Sequence, residues 1–99
     1  MSSDEMAATL GRLMIERAEV RRRLALLREE IERDGKLMFE IAGPLHIVAL
    51  TPDVARKSII KLNELVAFGG LARLKSNLEA FDSTMSRLSS LEQTIEAAG

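Results

Sequence analysis

The sequence predicts an all-α protein, in which a long N-terminal heptad helix and two further helices form a helical hairpin or a three-helix coiled-coil bundle. From Met6 to Ile41, apolar residues recur at alternating steps of four and three, which is typical of a helix that packs lengthwise on another helix. A similar repeat runs from Leu71 to Ile95. Hydrophobic residues make up 46% of the chain and charged residues 29%, a composition too apolar for a disordered chain.

The first helix is predicted over residues 4–42, within a single helical domain that covers 1–99. Ser2 or Ser3 can cap its N-terminus through the hydroxyl oxygen. Arg17 and Asp34 interrupt its apolar seam, and a charged seam residue can set the register or the choice of partner. Arg17 can also extend its charged head past its neighbours to solvent. The predicted interaction seam on this helix consists of Leu10, Leu13, Arg17, Val20, Leu24, Leu27 and Ile31.

Two endings of the first helix are compatible with the sequence. Gly35 is a common C-cap residue, and a helix that ends there leaves residues 36–50 to form a short β-hairpin. Alternatively the helix continues to Ala42 and ends before Pro44, because proline disfavours the helical conformation in the residue before it. The heptad phase persists beyond Gly35, which favours the longer helix.

An apolar connector over 43–51 and a second helix over 52–68 are predicted next. Thr51 is placed as N-cap, Pro52 at the first helical position and Asp53 at the positive end of the helix dipole. The face predicted to pack into the core contains Ala55, Ile59, Leu62 and Val66, widened by Ile60 and Leu65. Gly69-Gly70 ends this helix.

A third helix is predicted over residues 71–97. Its part of the interaction seam consists of Leu74, Leu78, Phe81, Met85 and Leu88. Tracing this repeat backwards places Glu64 and Lys57 in the seam, so the second and third helices are two separate helices. Because each seam is narrow and the chain is short, we expect a homo-oligomer, preferably a dimer, or pairing with a helical protein partner.

Composition excludes several classes of site. The chain has no cysteine, so it has no disulfide, no zinc-finger ligand set and no thiol nucleophile. His46 is the single histidine and is expected to be hydrogen-bonded and partly buried. We therefore expect no catalytic residue, no metal site and no cofactor. The N-terminus does not resemble a signal peptide and no apolar run is long enough to span a bilayer, so a cytoplasmic location without membrane contact is expected.

A cluster of arginines on the first helix suggests a second kind of partner. An anionic partner or phosphate groups can bind guanidinium groups that share one helix. The net charge is only −1, and the chain has neither tyrosine nor tryptophan for stacking on bases, so nucleic-acid binding is the alternative rather than the preferred function. The patch consists of Arg17, Arg21, Arg22, Arg23 and Arg28.

The string Leu13 to Leu24, Leu-Met-Ile-Glu-Arg-Ala-Glu-Val-Arg-Arg-Arg-Leu, resembles the long first helix of the helical chorismate mutases. That family is all-α, dimeric and binds a dicarboxylate through Arg and Lys, so the resemblance implies a small all-α enzyme. It covers only this string, and the upstream arginine and the later basic and glutamate residues of the family have no clear match.

The preferred function is a coiled-coil interaction module that acts as adaptor, scaffold, assembly factor or chaperone-like partner.

Overall fold

The computed structural model describes residues 2–47 and 49–98 and contains three helices among them. These are α1 (Ser3–Ile47), α2 (Pro52–Ala67) and α3 (Gly70–Ala98). No strand occurs in the described residues, which confirms the predicted all-α class. The alternative of a β-hairpin over 36–50 is wrong, because residues 36–47 are helical.

The C-terminal end of α1 differs from the prediction. The helix passes Gly35, which has no left-handed backbone conformation, and continues beyond Ala42 through Pro44 to Ile47. Proline has no amide hydrogen, so the carbonyl of Glu40 loses its helical donor, but one missing hydrogen bond does not end the helix. The apolar connector predicted over 43–51 is reduced to the residues between the two helices, of which Val48 lies outside the described part.

The sequence predicts the start of α2 correctly. The Thr51 hydroxyl accepts a hydrogen bond from the Val54 amide at 3.2 Å, and Pro52 occupies the first turn. This arrangement satisfies one of the free amides at the helix N-terminus.

The turn from α2 to α3 depends on two glycines. Gly69 has φ +99° and Gly70 has φ +63°, both in the left-handed region that favours glycine. A Cβ atom on Gly69 would lie 2.7 Å from Cβ of Arg73, closer than two carbons can approach without displacement. The break predicted between the two helices is therefore imposed by backbone geometry.

The chain divides into two compact units that share α1 and α3. We call Met1–Arg28 with Glu79–Gly99 the terminal unit and Glu29–Leu78 the central unit. In the terminal unit the two helices are antiparallel, since the Arg28 guanidinium lies 6.0 Å from the Phe81 ring centre while Leu13 shares a cleft with Thr94. The central unit contains the whole of α2.

The α3 face that packs in the terminal unit differs in part from the predicted repeat. Leu91 is only 1% exposed, and Thr84 is partly buried, whereas Met85 is exposed. Glu92, at the position where the repeat requires an apolar group, instead accepts a hydrogen bond from Arg21 at 3.0 Å. Because Glu92 lies at the edge of the interface, the neighbouring Leu91 occupies the buried position.

Charged pairs border this interface. Arg87 donates from Nε to Oε1 of Glu16 at 3.0 Å, and its Nη2 contacts the same oxygen. Both side chains are about half exposed, so a pair of this kind contributes roughly 0.2–1 kcal/mol. Its effect is mainly to fix the register of the two helices.

Candidate interaction surface

The interaction seam predicted on α1 lies on the packed side of that helix. Leu24 and Leu27 are buried, and the other predicted residues, Leu10, Leu13, Arg17, Val20 and Ile31, are partly buried. On α3 the structure separates the predicted residues into two groups: Leu74, Phe81 and Leu88 are partly buried, whereas Leu78 and Met85 are exposed. Packing within each unit thus covers most of the seam, and other helix faces meet solvent.

The arginine patch is partly engaged by the chain itself. Arg21 pairs with Glu92, and Arg28 lies over the Phe81 ring. Arg17 is partly buried, while Arg22 and Arg23 are exposed. The five guanidinium groups therefore do not form one open cluster for an anionic partner.

Most of the predicted core face of α2 points away from the packing of the central unit. Ile59, Leu62 and Val66 are exposed, and we call these three residues the outer stripe. Leu65, which was predicted to widen this face, is buried, and so is Ser58, which was not predicted. The prediction that the outer stripe packs into the core is therefore wrong.

The packed face of α2 contains polar groups that sequence reasoning did not select. Lys61 is partly buried, and its Nζ lies 3.7 Å from Oε2 of Glu40 on α1. Two faces of α2 carry apolar residues at helical spacing, about 90° apart around the axis at about 100° per residue. In the sequence, the wide apolar arc of α2 indicates that two faces of this helix are suited to packing. It does not indicate which of the two packs within the chain.

An apolar groove adjoins the outer stripe. Its volume is about 450 Å³. None of its lining residues is charged, and it shares Leu62 and Val66 with the outer stripe. The lining residues are Met38, Ile41, Ala42, Leu62, Leu65, Val66, Gly70 and Leu71.

In the central unit, few apolar side chains are buried and many large ones are exposed. Among its described residues, Ile41 and Leu65 are the buried apolar side chains, and Asp34 and Ser58 are buried polar ones. Large apolar side chains are instead exposed on all three helices and in the connector. They are Phe39, Leu45, Ile47, Leu50, Ile59, Ile60, Leu62, Val66, Phe68, Leu71 and Leu78. Single exposed apolar residues are normal, whereas such a concentration in one small unit is typical of surfaces that take part in interactions.

Asp34 is the most unusual buried group in the central unit. Its side chain is 1% exposed, and in the described part of the chain neither carboxylate oxygen receives a hydrogen bond. Arg33 provides an ion pair at 3.5 Å, while its guanidinium also lies 4.3 Å from the ring centre of Phe68. Burying a carboxylate without hydrogen bonds destabilises the folded state. The sequence identified this position as a polar interruption of the seam.

Next to Asp34, a polar cluster holds the α2–α3 turn against α1. Arg73 donates to the carbonyl of Phe68 at 2.8 Å and pairs with Glu30 at 3.2 Å. Asn77 donates to the same Glu30 carboxylate at 3.0 Å. These contacts hold the α2–α3 turn in place and involve no residue of the outer stripe.

Two further features are absent from the described residues. Within 2–47 and 49–98, no three histidine, aspartate or glutamate side chains converge as metal ligands. In the same part of the chain, no helix combines the length and the apolar character required to cross a membrane. His46 is exposed rather than partly buried, because α1 continues past Pro44 and places it in the last helical turn.

Comparison with known proteins gives no family for this chain. No protein-family model matches it, and neither a curated protein nor a solved structure is detectably similar. Functional inference therefore depends on the surface chemistry of the two units.

Proposed function

We propose that the chain is a protein–protein interaction module that pairs its helices with helices of other polypeptides, as adaptor, scaffold, assembly factor or chaperone-like partner. One observation carries the proposal: among its described residues, the central unit exposes many large apolar side chains and buries two, Ile41 and Leu65. Burying a large aliphatic or aromatic side chain stabilises a complex by about 1.5–3 kcal/mol relative to leaving it in water. A partner helix on this surface would gain that contribution several times.

The chemistry of the apolar groove supports the same function. Its lining offers no titratable side chain, so it suits the burial of apolar groups better than acid–base chemistry. An amphipathic helix that places its apolar face in a hydrophobic groove is a common mode of peptide recognition. A cytoplasmic location is part of this proposal, to be checked by fractionating host cells that express the tagged chain.

The test is affinity capture from an extract of the native host with two matched variants. Leu71 lines the groove and Leu26 lies on α1 in the terminal unit, and both side chains are 63% exposed. Leu71→Lys places a charge at the groove, whereas Leu26→Lys adds the same charge elsewhere. We expect the wild-type chain and Leu26→Lys to retain the same host proteins, and Leu71→Lys to lose them.

Captured proteins are identified by mass spectrometry, with copies of the bait excluded. Far-ultraviolet circular dichroism of the three chains verifies that each remains helical. Equal capture by both variants, or no capture beyond an unrelated bait, would contradict the proposed function.

A further inference from the structure

We propose that a second copy of this chain covers the outer stripe, across a two-fold axis that sets the two α2 helices antiparallel. The inference rests on the proposed function, because it names an occupant for the same surface. It assigns α2 as the centre of a homodimer interface.

The surface is complementary to itself. The outer stripe forms a ridge of exposed aliphatic side chains, and the apolar groove lies directly beside it. A two-fold interface presents the same patch on both sides, so the outer stripe of each copy packs against the outer stripe and the adjoining groove of the other. Neither surface carries a charge, and a net charge of −1 adds little long-range repulsion between copies.

The exposed area of the chain is large enough for a stable dimer interface. A folded monomer of 10.9 kDa is expected to expose about 5,600 Å². This chain exposes 7257 Å², which is roughly 1,700 Å² more than that expectation. A standard interface removes about 800 Å² from each partner. The excess is about twice that area, so one chain exposes enough surface for its half of a homodimer interface.

The residues beside the stripe favour the antiparallel orientation. Ala55, Ile59, Leu62 and Val66 follow steps of four, three and four, as in a coiled-coil seam. The helical period places Arg56 and Asn63 together along the edge of this seam that faces away from Ser58 and Leu65. In a parallel pair, this edge of each helix would face the Ser58 edge of the second copy, which is already buried within its own unit. In an antiparallel pair Arg56 meets Asn63 of the second copy, whose amide oxygen can accept its hydrogen bond.

Neighbouring isoleucines provide a matched test. Ile59 belongs to the stripe and is 56% exposed, while Ile60 points about 100° away and is 61% exposed. Light scattering and sedimentation equilibrium should give the wild-type chain and Ile60→Lys twice the 10.9 kDa chain mass. Ile59→Lys should give half of the wild-type mass, because a lysine ammonium cannot be buried unpaired in the apolar interface.

Disulfide trapping tests the relative orientation of the two α2 helices without a lysine substitution that could unfold the chain. The chain has no cysteine of its own, so introduced thiols report only the designed pair. Mixing Arg56→Cys with Asn63→Cys under mild oxidation should give a cross-linked dimer. Arg56→Cys alone should give far less, because antiparallel helices separate the two copies of this position.

Each result decides for or against the second copy. A wild-type chain that stays monomeric at high concentration overturns the inference, as does an Ile59→Lys variant that is as dimeric as Ile60→Lys. Efficient cross-linking of Arg56→Cys with itself overturns the antiparallel orientation. If the wild-type chain is monomeric yet captures host proteins through the groove, this inference fails while the proposed function stands. If the chain dimerises through α2 but captures no host protein, the inference stands and the proposed function fails.

Discussion

Asp34 places a carboxylate in the packed seam of α1 without a hydrogen-bond donor in the described part of the chain. Its ion pair with Arg33 spans 3.5 Å, and that guanidinium is also engaged by the Phe68 ring. Because the Arg33 side chain is 41% exposed, an apolar residue in place of Asp34 leaves no unpaired charge buried and avoids the desolvation cost of the carboxylate.

We expect Asp34→Leu to raise the free energy of unfolding by about 1–3 kcal/mol, because the desolvation cost of the carboxylate disappears. Glu32→Leu is the matched control, since Glu32 is exposed on the same helix, and it should change stability by about 0.5 kcal/mol or less. Urea titration followed by circular dichroism measures both. A less stable Asp34→Leu chain would show that the carboxylate has a favourable partner after all.

Heptad counting from the sequence identifies Asp34 as a polar seam residue, but it does not reveal the missing donors. Whether a carboxylate is satisfied depends on which side chains of other helices face it. Arg73 and Asn77 of α3, for example, both bind Glu30, one helical turn before Asp34. Such a choice among tertiary partners is absent from the local pattern.

A glycine in the α2–α3 turn and a glycine inside α1 should respond oppositely to the same substitution. Gly69→Ala must hold φ +99° and bring its Cβ within 2.7 Å of Arg73 Cβ, so we expect a loss of about 1–3 kcal/mol. Gly35→Ala lies in the interior of α1 with no neighbour within 4 Å of the added carbon, and should gain about 0.5–1 kcal/mol. Chemical denaturation of both variants tests the pair. If both substitutions changed the free energy of unfolding in the same direction, the glycine requirement of the turn would be contradicted.

The packed face of α3 can be tested at two positions on that helix. Leu91→Ala removes a side chain that is fully enclosed in the terminal unit, and should cost about 2–5 kcal/mol. Met85→Ala removes a half-exposed side chain, and should cost about 1 kcal/mol or less. Thermal and urea unfolding give both values. A larger loss of stability for Met85→Ala than for Leu91→Ala would instead support the packed face that the sequence repeat predicted.

Apolar periodicity predicts the helices well, and their orientation about their own axes less well. The seam of α1 packs as the repeat indicates, because one narrow apolar stripe leaves no choice of face. On α2 two apolar faces compete, and tertiary contacts bury Ser58 and Leu65 rather than the outer stripe. At Pro44 local propensity predicts an end, but the helix continues to Ile47.

Dimerisation through α2 would couple stability to protein concentration. A species that binds only the folded state raises the unfolding midpoint by mass action. We therefore expect the thermal midpoint of the wild-type chain to rise as its concentration increases, and that of Ile59→Lys to stay constant. Differential scanning fluorimetry or circular dichroism over a hundredfold concentration range measures this. A constant midpoint for the wild-type chain would contradict a folded state stabilised by association.

The two units also differ in how far apart in the chain their contacting residues are. In the terminal unit, Arg21 and Glu92 are 71 positions apart, whereas in the central unit Glu30 and Asn77 are 47 apart. Loop closure costs more entropy for longer separations, so we expect the central unit to form first and to bring the terminal helical segments together. Stopped-flow refolding should then be slowed more by Leu65→Ala than by Leu91→Ala. The reverse order would exclude this route.

The central unit is one uninterrupted stretch, Glu29–Leu78, whereas the terminal unit needs residues from both sides of it. Removal of residues from either end of the chain therefore takes contacts from the terminal unit first and leaves the sequence of the central unit whole.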